Sequence, residues 1–293
     1  MSKVDLRSLQ LFELDMLRDV ERVFEANHLR YFLSDGTLLG AVRHHGFIPW
    51  DDDIDVAMPY PDYLRFLSLG QEALGDRYFL QTTDTDESFQ FGYARVRRNH
   101  STMIRAWEFD EGHHGVWLDI FPLIYVGGSM DLKLKKRLIP ITNVLCLSQN
   151  CFDRDRDWMR QNNGRGRVAL VSMLRSLLGK NRKRCANWIR RKMFSQTGKA
   201  RMAEVWGSIT AVVPAGLYEE PAVSIPFEDT LCAVPANYDA VLRANYGDYM
   251  QLPPEKDRHS NHGNMYIDLE RDWAAVKQQG DAPDLDSLGK AEA

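Results

Sequence analysis

The stretch Leu33-Ser-Asp-Gly-Thr-Leu-Leu-Gly-Ala-Val-Arg-His-His-Gly-Phe-Ile-Pro-Trp-Asp-Asp-Asp-Ile-Asp-Val-Ala-Met58 sets a small-residue turn, Gly36-Thr37, ahead of four carboxylates, Asp51, Asp52, Asp53 and Asp55. Drawn out of water without a counter-charge, four acids in five positions repel one another strongly. Ile54, Val56 and Met58 alternate with other residues as a buried strand does. On such a strand Asp53 and Asp55 share one face, with Ile54 and Val56 opposite. An acidic run is ordinarily a solvated loop or a helix cap. Here it lies between Phe47-Ile48-Pro49-Trp50 and the apolar strand, which is not linker chemistry. A bound cation is the simplest account, and an all-carboxylate donor set suits Mg²⁺ or Mn²⁺.

A second acid stands in an apolar strand, Gly115-Val-Trp-Leu-Asp-Ile-Phe-Pro-Leu123. Alone there, Asp119 is unfavourable unless it is paired or binds metal. A neighbouring strand would bring it beside Asp53 and Asp55, a three-acid set that can hold a divalent cation against a phosphate. The Gly36-Thr37 turn opens a short helix, whose free backbone N–H groups suit phosphate oxygens. Arg95 and Arg97 share one face of a strand just upstream, and Arg98 the other. They read equally as phosphate clamps or as ion-pair partners of the acids. Arg43, between the turn and the acids, is placed to reach the same phosphate.

The rest of the chain is ordinary for a globular protein: 293 residues, 44% hydrophobic, 27% charged. No stretch is long and apolar enough to span a membrane, and Met1-Ser-Lys-Val-Asp-Leu-Arg lacks a signal-peptide core, so a cytoplasmic protein is expected. Cys146, Cys151, Cys185 and Cys232 have neither CxxC nor zinc spacing and read as reduced thiols. Charge is uneven. Residues 131–205 hold nineteen Lys or Arg against five Asp or Glu, in a chain of net charge −4. Such a segment is either a solvated helical face or a contact for nucleic acid, an anionic membrane surface or a phosphorylated glycan. The overall acidity disfavours nucleic acid.

Helices are expected over Leu6–His28, Thr37–Arg43, Pro61–Leu74 and Tyr238–Tyr246, and through most of Leu132–Trp206 with a loop at Asn162–Gly166. Strands are expected at Arg30–Leu33, Ile54–Met58, Tyr78–Thr82, Phe89–Arg98, Thr102–Arg105, Gly115–Phe121, Ala222–Phe227 and Thr230–Val234. The polar end beyond Gln278 reads as a loose tail. Together these give an α+β, mixed α/β fold.

Taken together, the stretch from Ser34 to Val56, the block Trp117-Leu-Asp-Ile-Phe-Pro-Leu123, and Tyr246-Gly-Asp-Tyr-Met-Gln-Leu-Pro-Pro254 with Arg258 and His262 resemble the LicD family. Asn261 departs from it, since many members carry a histidine there. The resemblance implies a nucleotidyltransferase-like mixed sheet, shared with the fukutin-related sugar-phosphate transferases. It divides the chain into a catalytic core (1–130), a basic helical segment (131–206), a part completing the core (207–278) and a tail (279–293). It also implies metal-dependent transfer of a phospho-alcohol, phosphocholine foremost, from a CDP-linked donor to a hydroxyl of a cell-surface glycan acceptor such as lipopolysaccharide or teichoic acid. Asp53 and Asp55 would be metal ligands, Asp51 and Asp119 ligand or general base, and Gly36 and Thr37 donor-phosphate contacts. Trp50, Tyr93, Trp107 and Trp117 are candidates for an aromatic cage around a choline headgroup. The basic segment would hold the acceptor or rest on the inner membrane leaflet. Two other functions share these motifs: a nucleotidyltransferase that releases pyrophosphate, and a binding module without catalysis.

Overall fold

The computed structural model describes residues 4–105, 112–163, 165–260 and 265–284. Helix α1 (Leu6–Ala26) starts on Asp5, whose carboxylate accepts the Ser8 N–H at 2.9 Å, and it buries Leu9, Leu17, Val20 and Phe24. There follow β1 (Phe32–Leu33), α2 (Asp35–His44), β2 (Asp55–Pro59), α3 (Tyr60–Leu74), β3 (Tyr78–Gln81), β4 (Ala94–Arg98), β5 (Thr102–Arg105) and β6 (Trp117–Val126). Four helices come next: α4 (Ser129–Cys146), α5 (Gln149–Asn163), α6 (Arg165–Leu178) and α7 (Arg182–Phe194). Then come β7 (Arg201–Val205), β8 (Ile209–Pro214), the single turn α8 (Gly216–Glu219) and the hairpin β9 (Val223–Phe227)–β10 (Thr230–Val234). The chain closes with α9 (Tyr238–Tyr246), β11 (Met265–Asp268) and α10 (Trp273–Gln278).

The main sheet is mixed and has seven strands, with β1-β2-β6-β4-β3 in order and β7 and β8 continuing from β6. Only β2 and β6 run parallel; the other pairings are antiparallel. At ten residues β6 is long enough to pair β4 through Trp117–Ile120 and β7 through Leu123–Val126. Its apolar side chains are almost wholly buried, as expected of a central strand. Helices flank the sheet, and Phe24 of α1 meets Phe66 of α3 edge-on at 5.3 Å. Among the described residues no helix is long and apolar enough to cross a membrane.

Several expectations change. Of Phe89–Arg98 only Ala94–Arg98 is a strand, because Phe89, Phe91 and Tyr93 form an aromatic cluster with Phe121 instead of pairing. Within the loop expected at Asn162–Gly166, the described residues are helical: α5 runs through Asn163 and α6 starts at Arg165, while Gly164 lies outside the described residues. Helix does not persist to Trp206. Arg201–Val205 instead forms β7, which pairs with β6 and joins the main sheet. Past Gln278 the chain is still anchored as far as Asp281, which ion-pairs with Arg271 at 2.6 Å and donates its N–H to the Val276 carbonyl.

Candidate active site

Strand register builds the site. In the parallel β2–β6 pair, Asp55 lies opposite Asp119, and the Asp119 N–H donates to the Ile54 carbonyl at 3.0 Å. Asp53 precedes β2 by two residues. One carboxylate oxygen from each of Asp53, Asp55 and Asp119 can be chosen so that all lie within 4.8 Å of one another; Asp51, Asp52 and Asp53 meet the same test. Asp53 and Asp119 are buried. Removal from water, then the charges of Asp53, Asp35 and Asp119, raises the Asp55 carboxyl far above the usual carboxylate range. Such crowding, with oxygen donors only, fits a hard divalent cation.

The acids open into a cavity of about 830 Å³, whose wall includes Gly36, Trp50, Tyr93 and Tyr246. The first turns of α2 pack closely against their neighbours. A Cβ on Gly36 would stand 2.6 Å from Asp51 Oδ2, and one on Gly40 would stand 2.5 Å from the Gly46 carbonyl oxygen. Thr37 does not line the cavity. It is buried, and its Oγ1 accepts the Asp55 N–H at 2.9 Å, so it fixes the start of β2. On α1, Gln10 donates to the Asp51 carbonyl at 2.9 Å and pins the acidic loop from behind.

The arginines separate by role. Arg95 lies opposite Asp119 in the β4–β6 register and binds it, Nε to Oδ1, at 2.6 Å. Arg97 is directed away: it donates to Gln81 Oε1 at 2.6 Å and to the Gly115 carbonyl at 2.8 Å, and lies off the cavity wall. Its neighbours on β3 and before β6 bind its guanidinium. Arg43 donates to the Tyr249 carbonyl at 2.8 Å and is not among the residues lining the cavity. Trp50 lines the wall, with Arg258 5.8 Å over its ring. Tyr93 also lines it, whereas Trp117 is fully buried under the guanidiniums of Arg95, Arg97 and Arg105 at 4.5 to 4.8 Å and leaves the set of cage candidates. Trp107 and His262 lie outside the described residues. Near the latter, His259 lines the cavity and Ser260 donates to Asp52 at 2.6 Å.

Several members of the site are not evident from motifs. Asp35, at φ +40°, lines the cavity in the first turn of α2. Removal from water, then Glu204, its hydrogen-bond partner, raises its carboxyl well above the usual carboxylate range. Glu204 on β7 also accepts from the hydroxyls of Ser34 and Tyr218. Arg105 stands 3.9 Å from Asp53. Glu13 is fully buried, and burial, then Asp53, Asp52 and Asp51, raises its carboxyl far above the usual range. One signal was available in the sequence: Glu13 falls between Leu9 and Leu17 on the apolar face of α1.

Residues 28–138 match the family described as the LicD/FKTN/FKRP nucleotidyltransferase domain, and this span holds Asp51, Asp53, Asp55 and Asp119. The chain carries a LicD-family domain. Over 266 residues, 89% of this chain and 97% of that protein, it is 29% identical to a lipopolysaccharide cholinephosphotransferase LicD of Haemophilus influenzae. A shorter stretch of 45 residues is 49% identical to the human ribitol 5-phosphate transferase FKRP, covering 15% of this chain and 9% of that protein. The LicD domain takes in β1 to β6, whereas β7, which supplies Glu204, lies beyond it.

Proposed function

We propose that this protein transfers a phospho-alcohol, phosphocholine first among them, from a CDP-linked donor to a hydroxyl of a cell-surface glycan on the cytoplasmic side, releasing CMP. The observation that carries this reading is the convergence of Asp53, Asp55 and Asp119 within 4.8 Å on an 830 Å³ cavity. A relative matched over 89% of the chain is named a cholinephosphotransferase. The cavity lies within the range of sites that take a nucleotide-sized ligand.

In this reading Asp53, Asp55 and Asp119 hold Mg²⁺ or Mn²⁺, which offsets charge on the phosphates when bound. The acceptor oxygen bonds to the β-phosphorus, the bridging P–O bond breaks, and CMP carries away the electron pair. Asp119 is committed to Arg95. Asp51, against the Gly36 backbone, therefore takes the hydroxyl proton. Gly36 lets the donor approach the start of α2, where Asp35 also lines the cavity. Tyr93 and Phe91 of the wall suit a cationic headgroup.

The test is a donor screen with Mg²⁺, following CMP release from CDP-choline, CDP-ribitol, CDP-glycerol and CDP-ethanolamine, with CTP and ATP as controls. CMP from one CDP-alcohol, lost with EDTA and in Asp53→Ala, is expected. Pyrophosphate from a triphosphate would replace this reading with nucleotidyl transfer. Tight binding of a CDP-alcohol with no turnover on any glycan would reduce the protein to a binding module.

A further inference from the structure

We propose that the outer face of α4 and α6 is a docking surface for an anionic phospholipid bilayer. This goes beyond the transfer reading and does not depend on it. Residues 158–203 contain thirteen Lys or Arg and no Asp or Glu. Among these cations the helices expose large apolar side chains. On α6, Leu170 (47% exposed), Met173 (52%) and Leu177 (74%) recur at i, i+3 and i+7 and form one stripe. On α4, Met130 (81%) and Leu134 (52%) stand among the exposed Lys133, Lys136 and Arg137.

The two faces meet. A groove of about 510 Å³ runs between α4 and α6, with Val144, Phe152 and Val171 in its wall and Lys136, Arg137 and Arg167 at its rim. The charge identifies the occupant class: its complement is a polyanionic surface. The interleaving decides between polyanions. A phosphorylated glycan would engage the cations and leave Leu170, Met173 and Leu177 in water. A bilayer takes both, with lipid phosphates on the cations and the interface around the apolar stripe.

The helices are also tied to the mouth of the acidic cavity. Asn143 of α4 donates to the Gly207 carbonyl at 3.2 Å, and Arg190 of α7 donates to the Gln90 and Phe91 carbonyls at 2.7 and 3.3 Å. Gly207 and Phe91 both line that cavity. A docked α4–α6 face therefore holds the cavity at a fixed place near the membrane.

The test is co-sedimentation of the full chain with phosphatidylcholine vesicles, with and without about one third phosphatidylglycerol. Binding at least tenfold stronger to the anionic vesicles is expected, and it should weaken in high salt. Lys133→Glu/Lys136→Glu/Arg137→Glu and Leu170→Ser/Met173→Ser/Leu177→Ser should each lower it about tenfold. Far-UV circular dichroism and melting should show both variants folded, since every changed side chain is exposed. Three outcomes overturn the proposal. The first is equal binding to both vesicles, or to neither. The second is an apolar-stripe variant that binds like the wild type while soluble polyphosphate displaces both, which would assign the face to a polyanionic chain. The third is a wild-type dimer that the serine variant dissociates, which would assign the face to a second copy.

Discussion

Two regions of this molecule handle charge in opposite ways. At the end of the β2–β6 pair, charges are buried, close together and set by strand register: Asp55 opposite Asp119, Arg95 opposite Asp119, and Arg105 beside Asp53. In α4–α7 the charge is larger but mostly dispersed over exposed helix faces, where Arg154, Arg156 and Arg160 pair with acids one to three residues away. Pairs of that kind contribute less than about 1 kcal/mol each. The sheet spends stability to hold chemistry in place, whereas the helices carry their charge at little cost.

Asp55→Asn should separate the two regimes most sharply. With a ligand lost from the proposed cation site, turnover should fall about 10³-fold or more. Without metal, the amide relieves Asp53, Asp35 and Asp119 of a crowded neighbour, so thermal stability in EDTA should rise by about 1 kcal/mol. A fall in stability would mean that the acids do not strain the folded state.

Arg95→Met tests the other half of that arrangement. Asp119 would keep its burial and lose the guanidinium at 2.6 Å. Breaking a buried pair in this way costs about 3–5 kcal/mol, readable by urea unfolding. The double variant Arg95→Met/Asp119→Leu should recover most of the loss, because it leaves no orphaned charge. If the double variant is as unstable as the single one, cation–π packing on Trp117 and not the ion pair is the main term.

Gly36→Ala asks how tightly the acidic loop is held. The new Cβ would meet Asp51 Oδ2 at 2.6 Å, the far end of a side chain that can turn away. Turnover should fall about 10- to 100-fold by misplacing Asp51, with stability within about 1 kcal/mol of wild type. Unchanged turnover would remove Asp51 as the base.

The contrast also explains what could be read from the sequence. The acidic run and Asp119 were legible because alternation puts Asp53 and Asp55 on one face, and a lone acid in an apolar strand demands a partner. The separate fates of the arginines were not. Whether Arg95 or Arg97 meets Asp119 depends on the β4–β6 register, which no local pattern encodes. Glu204 was hidden at the end of a basic stretch that reads as helix; only its pairing with β6 brings it to Ser34 and Asp35. The helix pattern was legible from Leu132 onward, but its end was not, since the short β7 is stabilised by the sheet it joins and not by its own propensity.

The smallest expected effect lies in the helical region, at its buried exception. Arg175 is buried and, among the described residues, has no carboxylate ion-pair partner; it donates to the Val144, Leu147 and Ser148 carbonyls at 2.7, 3.0 and 3.2 Å and lies 4.3 Å over the Phe152 ring. Burial lowers its pKa to about 10, with Arg182 adding to the effect. It thus acts as a cap for the end of α4, gathering carbonyls that helix termination leaves open. Arg175→Met removes the donors and, with them, a desolvated charge, and methionine can still pack on Phe152. The two terms oppose each other, so the net loss should be about 1–2 kcal/mol, less than for Arg95→Met. Hydrogen exchange should accelerate in α4–α6 and not in β2 or β6, and turnover on a soluble donor should stay at the wild-type level. If exchange rose equally in β2, the helical region and the acidic sheet would be one cooperative unit, and the division of charge between them would no longer be a division of stability.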